Sequence, residues 1–317
     1  MSSLQETLRT DGHSTKPSDV EAAAMPIGDR QKSEGWLARL ATPAMWGEAA
    51  AALACLILAL GLEKATPRDT YVLKETLYQH SYPYLTNSVP SWTVPLFSLL
   101  GPLVCFLAYR FIVRRPNREV LRLVITFVLA YFLTAAITNC LKLPVGRLRP
   151  NFNRACWPNG TMVFRHEDQW GGYAVCDPLV GKGDVEEVRK SWPSGHSSLS
   201  AAGLGFLTFF LLGQLRAFSM PPGGRAGRLW RFLVALLPGF GAIVVAVTRV
   251  LDYWHYPSDV LTGLAIGFLT SFFVYRLVYP PLTHRRSDMP WEAILEMEEH
   301  QQGMAAAGTA GHAALSG

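Results

Sequence analysis

Charge is scarce in this sequence. Only 17% of the 317 residues are Asp, Glu, Lys or Arg, whereas a soluble domain carries about a quarter, so an ordinary soluble domain is a poor fit. None of the five cysteines belongs to a CxxC pair, which removes the usual redox and zinc pairings. There is no HExxH, no carboxylate cluster and no Walker-type loop, so no metal or nucleotide site is legible. No Lys/Arg stripe is interleaved with aromatics, so nucleic acid is not an expected partner. The formal net charge of +5 is better read as membrane topology. Residues 1–44 contain charges, Ser and Gly but no short apolar region near the start, so no secretory signal is read there. The first hydrophobic run is expected to act as a signal anchor.

The abundant feature is apolar length. Half of the residues are hydrophobic, gathered in blocks that approach or reach the roughly 18 residues of a membrane span. Six are read: Trp46 to Leu62 (the weakest, limited by Glu48), Val89 to Tyr109, Leu123 to Leu141, His196 to Leu215, Phe232 to Thr248 and Val260 to Tyr279. A span must satisfy its own backbone hydrogen bonds, and no alternation suggests a barrel. The expected fold class is therefore all-α, a polytopic membrane bundle of six transmembrane helices over residues 45–282. Segments 1–44 and 283–317 read as disordered cytosolic tails, the second with the charged run Glu296 to His300 and an Ala/Gly-rich end. Trp46, Trp92, Trp192, Trp230 and Trp254 lie at or near span ends, as an aromatic belt requires. Gly263-x-x-x-Gly267 reads as a helix-packing pattern for contacts within the bundle rather than for dimerisation, and a homo-oligomer is left open. Pro238 and Gly239 are expected to bend the fifth span.

Orientation follows from short loops. Arg110, Arg114, Arg115, Arg118 and Arg122 flank one connection, and Arg216, Arg225, Arg228 and Arg231 another. The positive-inside rule makes both of these cytosolic and sends 63–88, 142–195 and 249–259 to the lumen or exterior. The 142–195 loop holds eight Lys/Arg, which runs against the rule unless those charges serve chemistry. Asn159-Gly160-Thr161 is a glycosylation sequon, usable only on the luminal side. Cys156 and Cys176 share that loop and are the two cysteines suited to a disulfide there. The expected locations are the endoplasmic reticulum, a vacuolar or other endomembrane, or the plasma membrane.

Three segments bring ionisable groups to that face: Lys142 to Pro150 after the third span, Ser191 to His196 opening the fourth, and Thr248 to Asp259 between the fifth and sixth. Lys142, Arg149 and Arg249 can surround a phosphoryl group. Ser194 and Gly195 precede a helix whose first N–H groups favour an anion. His196 and His255 supply the nucleophile and the acid that covalent phosphoryl transfer needs. Asp259, four residues after His255, can share its helical face and hold the imidazole. Asp252 reads as a turn residue, with pairing to a nearby arginine as the alternative.

Lys142-x6-Arg149-Pro150, Pro193-Ser194-Gly195-His196 and Thr248-Arg249-x5-His255-x3-Asp259 together resemble the three-part signature of the type 2 phosphatidic acid phosphatases. The surroundings resemble the eukaryotic integral-membrane lipid phosphate phosphatase branch, over roughly residues 45–280. The resemblance implies a phosphohistidine on His255, oriented by Asp259. It makes His196 the acid for the leaving oxygen and the helper of the attacking water. Lys142, Arg149, Ser194, Gly195 and Arg249 would hold phosphate, with no metal or other cofactor. Thr248 stands where Ser is usual, and Leu148 where Pro is common; neither removes a catalytic group. The expected substrate is a lipid phosphate held in the bilayer: phosphatidate, lysophosphatidate, diacylglycerol pyrophosphate or a sphingoid phosphate. The rivals are a phosphatase of sugar phosphates or polyprenyl diphosphates, and a catalytically silent scaffold.

Overall fold

The computed structural model describes residues 42–219 and 228–315. The segment read as an N-terminal tail falls outside them as far as residue 41, as does Arg225. Helix α1 (Pro43–Glu63) leads into a short strand β1 (Tyr71–Leu73) and a 3₁₀ segment, Lys74–His80. Helices α2 (Thr93–Val113) and α3 (Asn117–Val145) follow. Then come the short α4 (Phe152–Cys156), strands β2 (Val163–Arg165) and β3 (Gly171–Val175), and the short α5 (Lys182–Glu187). Helices α6 (Gly195–Gln214), α7 (Arg228–Leu251), α8 (Pro257–Val278) and α9 (Trp291–Leu315) complete the order.

Six of these, α1, α2, α3, α6, α7 and α8, are long and apolar enough to cross a membrane. Ile57, Leu107, Phe111, Leu237, Phe240, Leu261 and Phe273 lie exposed on their outer surfaces. Such a surface would drive association in water, but it matches hydrocarbon. Inside, α6 packs against α3, α7 and α8. Its buried Ser197, Ser198, Ala201, Ala202, Gly203 and Gly205 let backbones come close, as small residues do in membrane bundles. The Gly263/Gly267 pair is used within this bundle. A Cβ on Gly263 would stand 2.6 Å from the Ser194 carbonyl oxygen, and one on Gly267 2.3 Å from that of Ser198. Farther along α6, aromatic residues from four helices, among them Phe106, Phe127, Phe206, Phe210 and Tyr275, form the largest apolar cluster.

Three expectations need correction. The 142–195 stretch, read as a polar loop, forms part of a folded cap. Strand β3 pairs antiparallel with both β1 and β2, and Val72, Leu148, Phe152, Cys156, Trp157, Ala174 and Val188 form a core of their own. These residues are too widely spaced for a periodic signal, and they become contiguous only when 71–73 meets 171–175. Residues 283–317, read as disordered, contain α9. Arg118 pairs with Glu296 at 2.9 Å, Arg115 with Asp288 at 3.2 Å, and Ile294 is buried. The partners that order this acidic segment are arginines far away in sequence. Trp254, assigned to the aromatic belt, is buried and donates its indole N–H to the Leu85 carbonyl, whereas Trp46, Trp92 and Trp230 are exposed.

Candidate active site

Sharp turns bring the three segments together. Helix α3 ends at Val145, and Gly146 follows in the left-handed region at φ 57°. A Cβ on Gly146 would sit 2.4 Å from the Arg68 carbonyl oxygen, so only glycine fits this reversal. It leaves Lys142 in the last turn and sends Arg147, Leu148 and Arg149 across the bundle end, with Leu148 anchored in the cap core. Ser194 caps α6, and its N–H donates to the Asp259 carbonyl at 3.1 Å. After α7 the chain turns through Tyr253 at φ 57° and delivers His255 just ahead of Pro257, where α8 starts.

Lys142, Arg149 and Arg249 are all buried. Lys142 Nζ lies 3.1 Å from where a Cβ on Gly195 would stand, so the ammonium faces the α6 N-terminus. Arg249 is held by Asn87, by Thr248 Oγ1 at 2.9 and 3.1 Å, and by Asp252 Oδ2 at 2.9 Å. The Thr248 hydroxyl oxygen thus helps to fix this arginine. Asp252 also accepts from the Ser88 N–H at 2.9 Å and the Ser88 hydroxyl at 2.7 Å; it is an arginine partner, not merely a turn residue. Arg149 lies over the Trp254 ring, 4.8 Å from its centroid. Its Nη2 bonds Glu187, while its buried Nε has no partner among the described residues. A buried cationic donor left unpaired is costly, and an oxyanion would relieve it.

His255 is buried, and its Nδ1 lies 2.7 Å from the Ser191 carbonyl oxygen. A carbonyl only accepts, so Nδ1 carries the proton and Nε2 keeps its lone pair. Burial, reinforced by the positive charge of Arg149, pushes the His255 pKa down to about 4, so the ring is neutral at pH 7. Asp259, expected to grip this histidine, has its Oδ2 3.8 Å from Nδ1, beyond hydrogen-bond reach. The carboxylate instead accepts from Arg147 at 2.5 Å, from the Ser191 hydroxyl at 2.6 Å and from the Tyr256 N–H at 3.1 Å. Its grip on the imidazole is indirect: it fixes Ser191, whose carbonyl fixes the ring. Asp259→Asn is therefore expected to lower kcat by about 10- to 100-fold, well short of the roughly 10⁴-fold seen when a carboxylate alone sets the tautomer. A loss as deep as that of His255→Ala in a phosphate-release assay would contradict the carbonyl's role.

His196 is half-buried at the start of α6, with Nε2 3.1 Å from the Val89 carbonyl oxygen. Nε2 is thus the protonated nitrogen in this arrangement. Four neighbours were not singled out from sequence. Arg147, between Lys142 and Arg149, bonds Asp259 and lies over the Tyr256 ring, 4.4 Å from its centroid. Ser191 contributes a backbone carbonyl, which no side-chain pattern encodes. Trp254 and Glu187 both sit on Arg149. Away from the site, Asn159 is exposed and donates to Asp177 at 3.0 Å, and Cys156 is disulfide-bonded to Cys176. Among the described residues, no group of three or more His, Cys, Asp or Glu is placed to hold a metal; the cationic cluster suits an oxyanion.

The model of the PAP2 superfamily matches residues 123–281, which span all three segments. The chain belongs to the PAP2 superfamily. Among its relatives, "Lipid phosphate phosphatase 1" of Arabidopsis thaliana is 34% identical over 244 residues, 77% of this chain and 71% of that protein. "Lipid phosphate phosphatase 2" of the same organism is 33% identical over 72% of this chain and 75% of its own length. "Diacylglycerol pyrophosphate phosphatase 1" of Saccharomyces cerevisiae is 37% identical over 174 residues, 53% of this chain and 54% of that protein. This PAP2 protein is thus a multi-pass membrane member, with the three segments described above gathered at one end of its bundle.

Proposed function

We propose that this membrane lipid phosphatase hydrolyses lipid phosphates such as phosphatidate, lysophosphatidate, diacylglycerol pyrophosphate or sphingoid phosphates through a phosphohistidine on His255, without a metal ion. The observation that carries this reading is His255 itself: buried, neutral, its Nδ1–H held by a carbonyl and its Nε2 lone pair left for phosphorus, close to Lys142 and Arg149. Nε2 attacks phosphorus, the bond to the lipid oxygen breaks, and His196, protonated on both nitrogens beside the bound phosphate, gives that oxygen a proton and becomes the neutral ring. Water, deprotonated by His196, then attacks the phosphohistidine, the P–N bond breaks and orthophosphate leaves. Lys142, Arg149 and Arg249 neutralise the charge that spreads over the equatorial oxygens, the role a divalent cation plays in other phosphotransfer sites.

Purified protein in mixed micelles with a panel of lipid phosphates provides the test. Phosphate release should persist in excess EDTA and be blocked by orthovanadate, a five-coordinate mimic of phosphorus. Activity lost in EDTA and restored by magnesium would sink the metal-free route.

The pH dependence has a definite sign. His255 refuses a proton until pH falls to about 4, whereas an unfolded histidine accepts one near 6.5. Between those values the unfolded chain binds more protons, so stability declines as pH falls through this window. The nucleophile stays neutral throughout it. Phosphoenzyme trapped from substrate should therefore remain abundant at pH 5.5 and collapse below about pH 4. A collapse centred near 6.5 would mean that the nucleophile is a solvated histidine.

The site is proposed to face the lumen or exterior, on the side of Asn159 and the Cys156–Cys176 bridge. Glycosidase treatment should increase the mobility of the protein from a eukaryotic host, and Asn159→Gln should abolish that shift. A shift that survives the substitution would place the glycan elsewhere.

A further inference from the structure

We infer that Glu187 sets the affinity of the phosphate site: its carboxylate holds the place of phosphoryl oxygens on Arg149 and has to leave before phosphate binds. This rests on the reading of Lys142, Arg149 and Arg249 as a phosphate cradle. Glu187 is the last residue of α5, in the cap, and bonds Arg149 Nη2. The side chain of Arg149 is 5% exposed and that of Glu187 43%, so the carboxylate sits on the open side of the pair and has room to swing outward. Burial opposes its charge, but the cations around it, Arg149 first and then Lys142 and Lys190, hold its pKa below the ordinary value. It is therefore ionised at neutral pH, within the same cationic field that a phosphate would occupy.

Two contrasts separate a placeholder from a strut. Arg149 has other supports: the Trp254 ring, and its backbone N–H, which donates to the Val188 carbonyl at 2.9 Å. Asp252, the acidic partner of Arg249, is itself fastened by two bonds from Ser88, while among the described residues the Glu187 carboxylate accepts a hydrogen bond from Arg149 alone. Moreover, Glu187 engages only one edge of the guanidinium and leaves Nε unpartnered. A phosphate can take Nε and Nη2 together in the bidentate geometry that guanidinium favours, so it gains a bond that the carboxylate leaves unmade.

Removing the negative charge removes the competitor. Glu187→Gln and Glu187→Ala should both lower the KM for p-nitrophenyl phosphate and the Ki for orthovanadate by about three- to five-fold, the size of a partly exposed ion pair. Orthovanadate should also raise the Tm of both variants by more than it raises that of the wild type, a readout independent of turnover. Gln keeps the side chain's shape and Ala does not, so a shared sign reports charge alone. Unchanged or weaker vanadate binding in both variants would overturn the placeholder and make Glu187 a strut for Arg149. A wild-type protein that neither releases phosphate nor binds vanadate would instead overturn the phosphate-site reading itself.

Discussion

His255→Ala is expected to leave no phosphoenzyme and no turnover on any substrate, because the variant lacks the nitrogen that would carry the phosphoryl group. His196→Ala should fail differently. Its nucleophile is intact and the phosphohistidine can form, but the lipid alkoxide must depart unprotonated, a deficit of about 10²–10⁴-fold for one acid–base group. That deficit should shrink for p-nitrophenyl phosphate, whose phenolate leaves without help, at least in the burst that precedes hydrolysis of the intermediate. Rapid-quench trapping of radiolabelled phosphoenzyme separates the two variants. Label trapped on His255→Ala, or leaving-group rescue in that variant rather than in His196→Ala, would mean that the two roles are reversed.

The second large effect is structural and lies a helical turn or more from any reacting atom. Gly267→Val should separate α8 from α6, since even a Cβ would stand 2.3 Å from the Ser198 carbonyl oxygen and 2.6 Å from the Ala201 Cβ. Neither neighbour is a flexible tip that can give way. The cost should be about 3 kcal/mol or more, at the upper end for overpacking. Activity should suffer beyond the loss of folded protein, because α8 carries Asp259 and α6 carries Ser194, Gly195 and His196. Gly61→Ala is the control: a Cβ there meets nothing within 4 Å, and alanine is the better helix former. Thermal unfolding and phosphate release in the same detergent would check both. A Gly267→Val protein with wild-type Tm and turnover would show that the two helices are not held this closely.

What the sequence discloses here, and what it does not, divides along a physical line. The six spans are legible because lipid demands an uninterrupted apolar length, and each of the six reads coincides with a long helix, with ends differing by a few residues. The grouping of Lys142, Arg149, Ser194, Gly195, His196, Arg249, His255 and Asp259 is legible because each lies at a span end on one side. The cap is not: Val72, Leu148 and Val188 carry no shared period, and their contact depends on strands far apart in the chain. Nor are the contacts that govern the site's electrostatics. The acceptor for His255 is a backbone carbonyl, and Glu187 and Arg147 look like ordinary loop charges until folding sets them on Arg149 and Asp259. The order of the C-terminal segment is hidden for the same reason, because its composition says nothing of distant arginines.

Those arginines also carry a consequence in time. Arg118 precedes its partner Glu296 by 178 residues, and Arg115 precedes Asp288 by 173. A chain made from its N-terminus therefore forms α2 and α3 while Asp288 and Glu296 do not yet exist. During insertion these guanidinium groups lack those partners, which is when their charge can retain a loop on one side of the bilayer. Once synthesis is complete, Asp288 and Glu296 arrive and compensate them. The same residues thus stand without these acids early in synthesis and are clasped by them once the chain is finished.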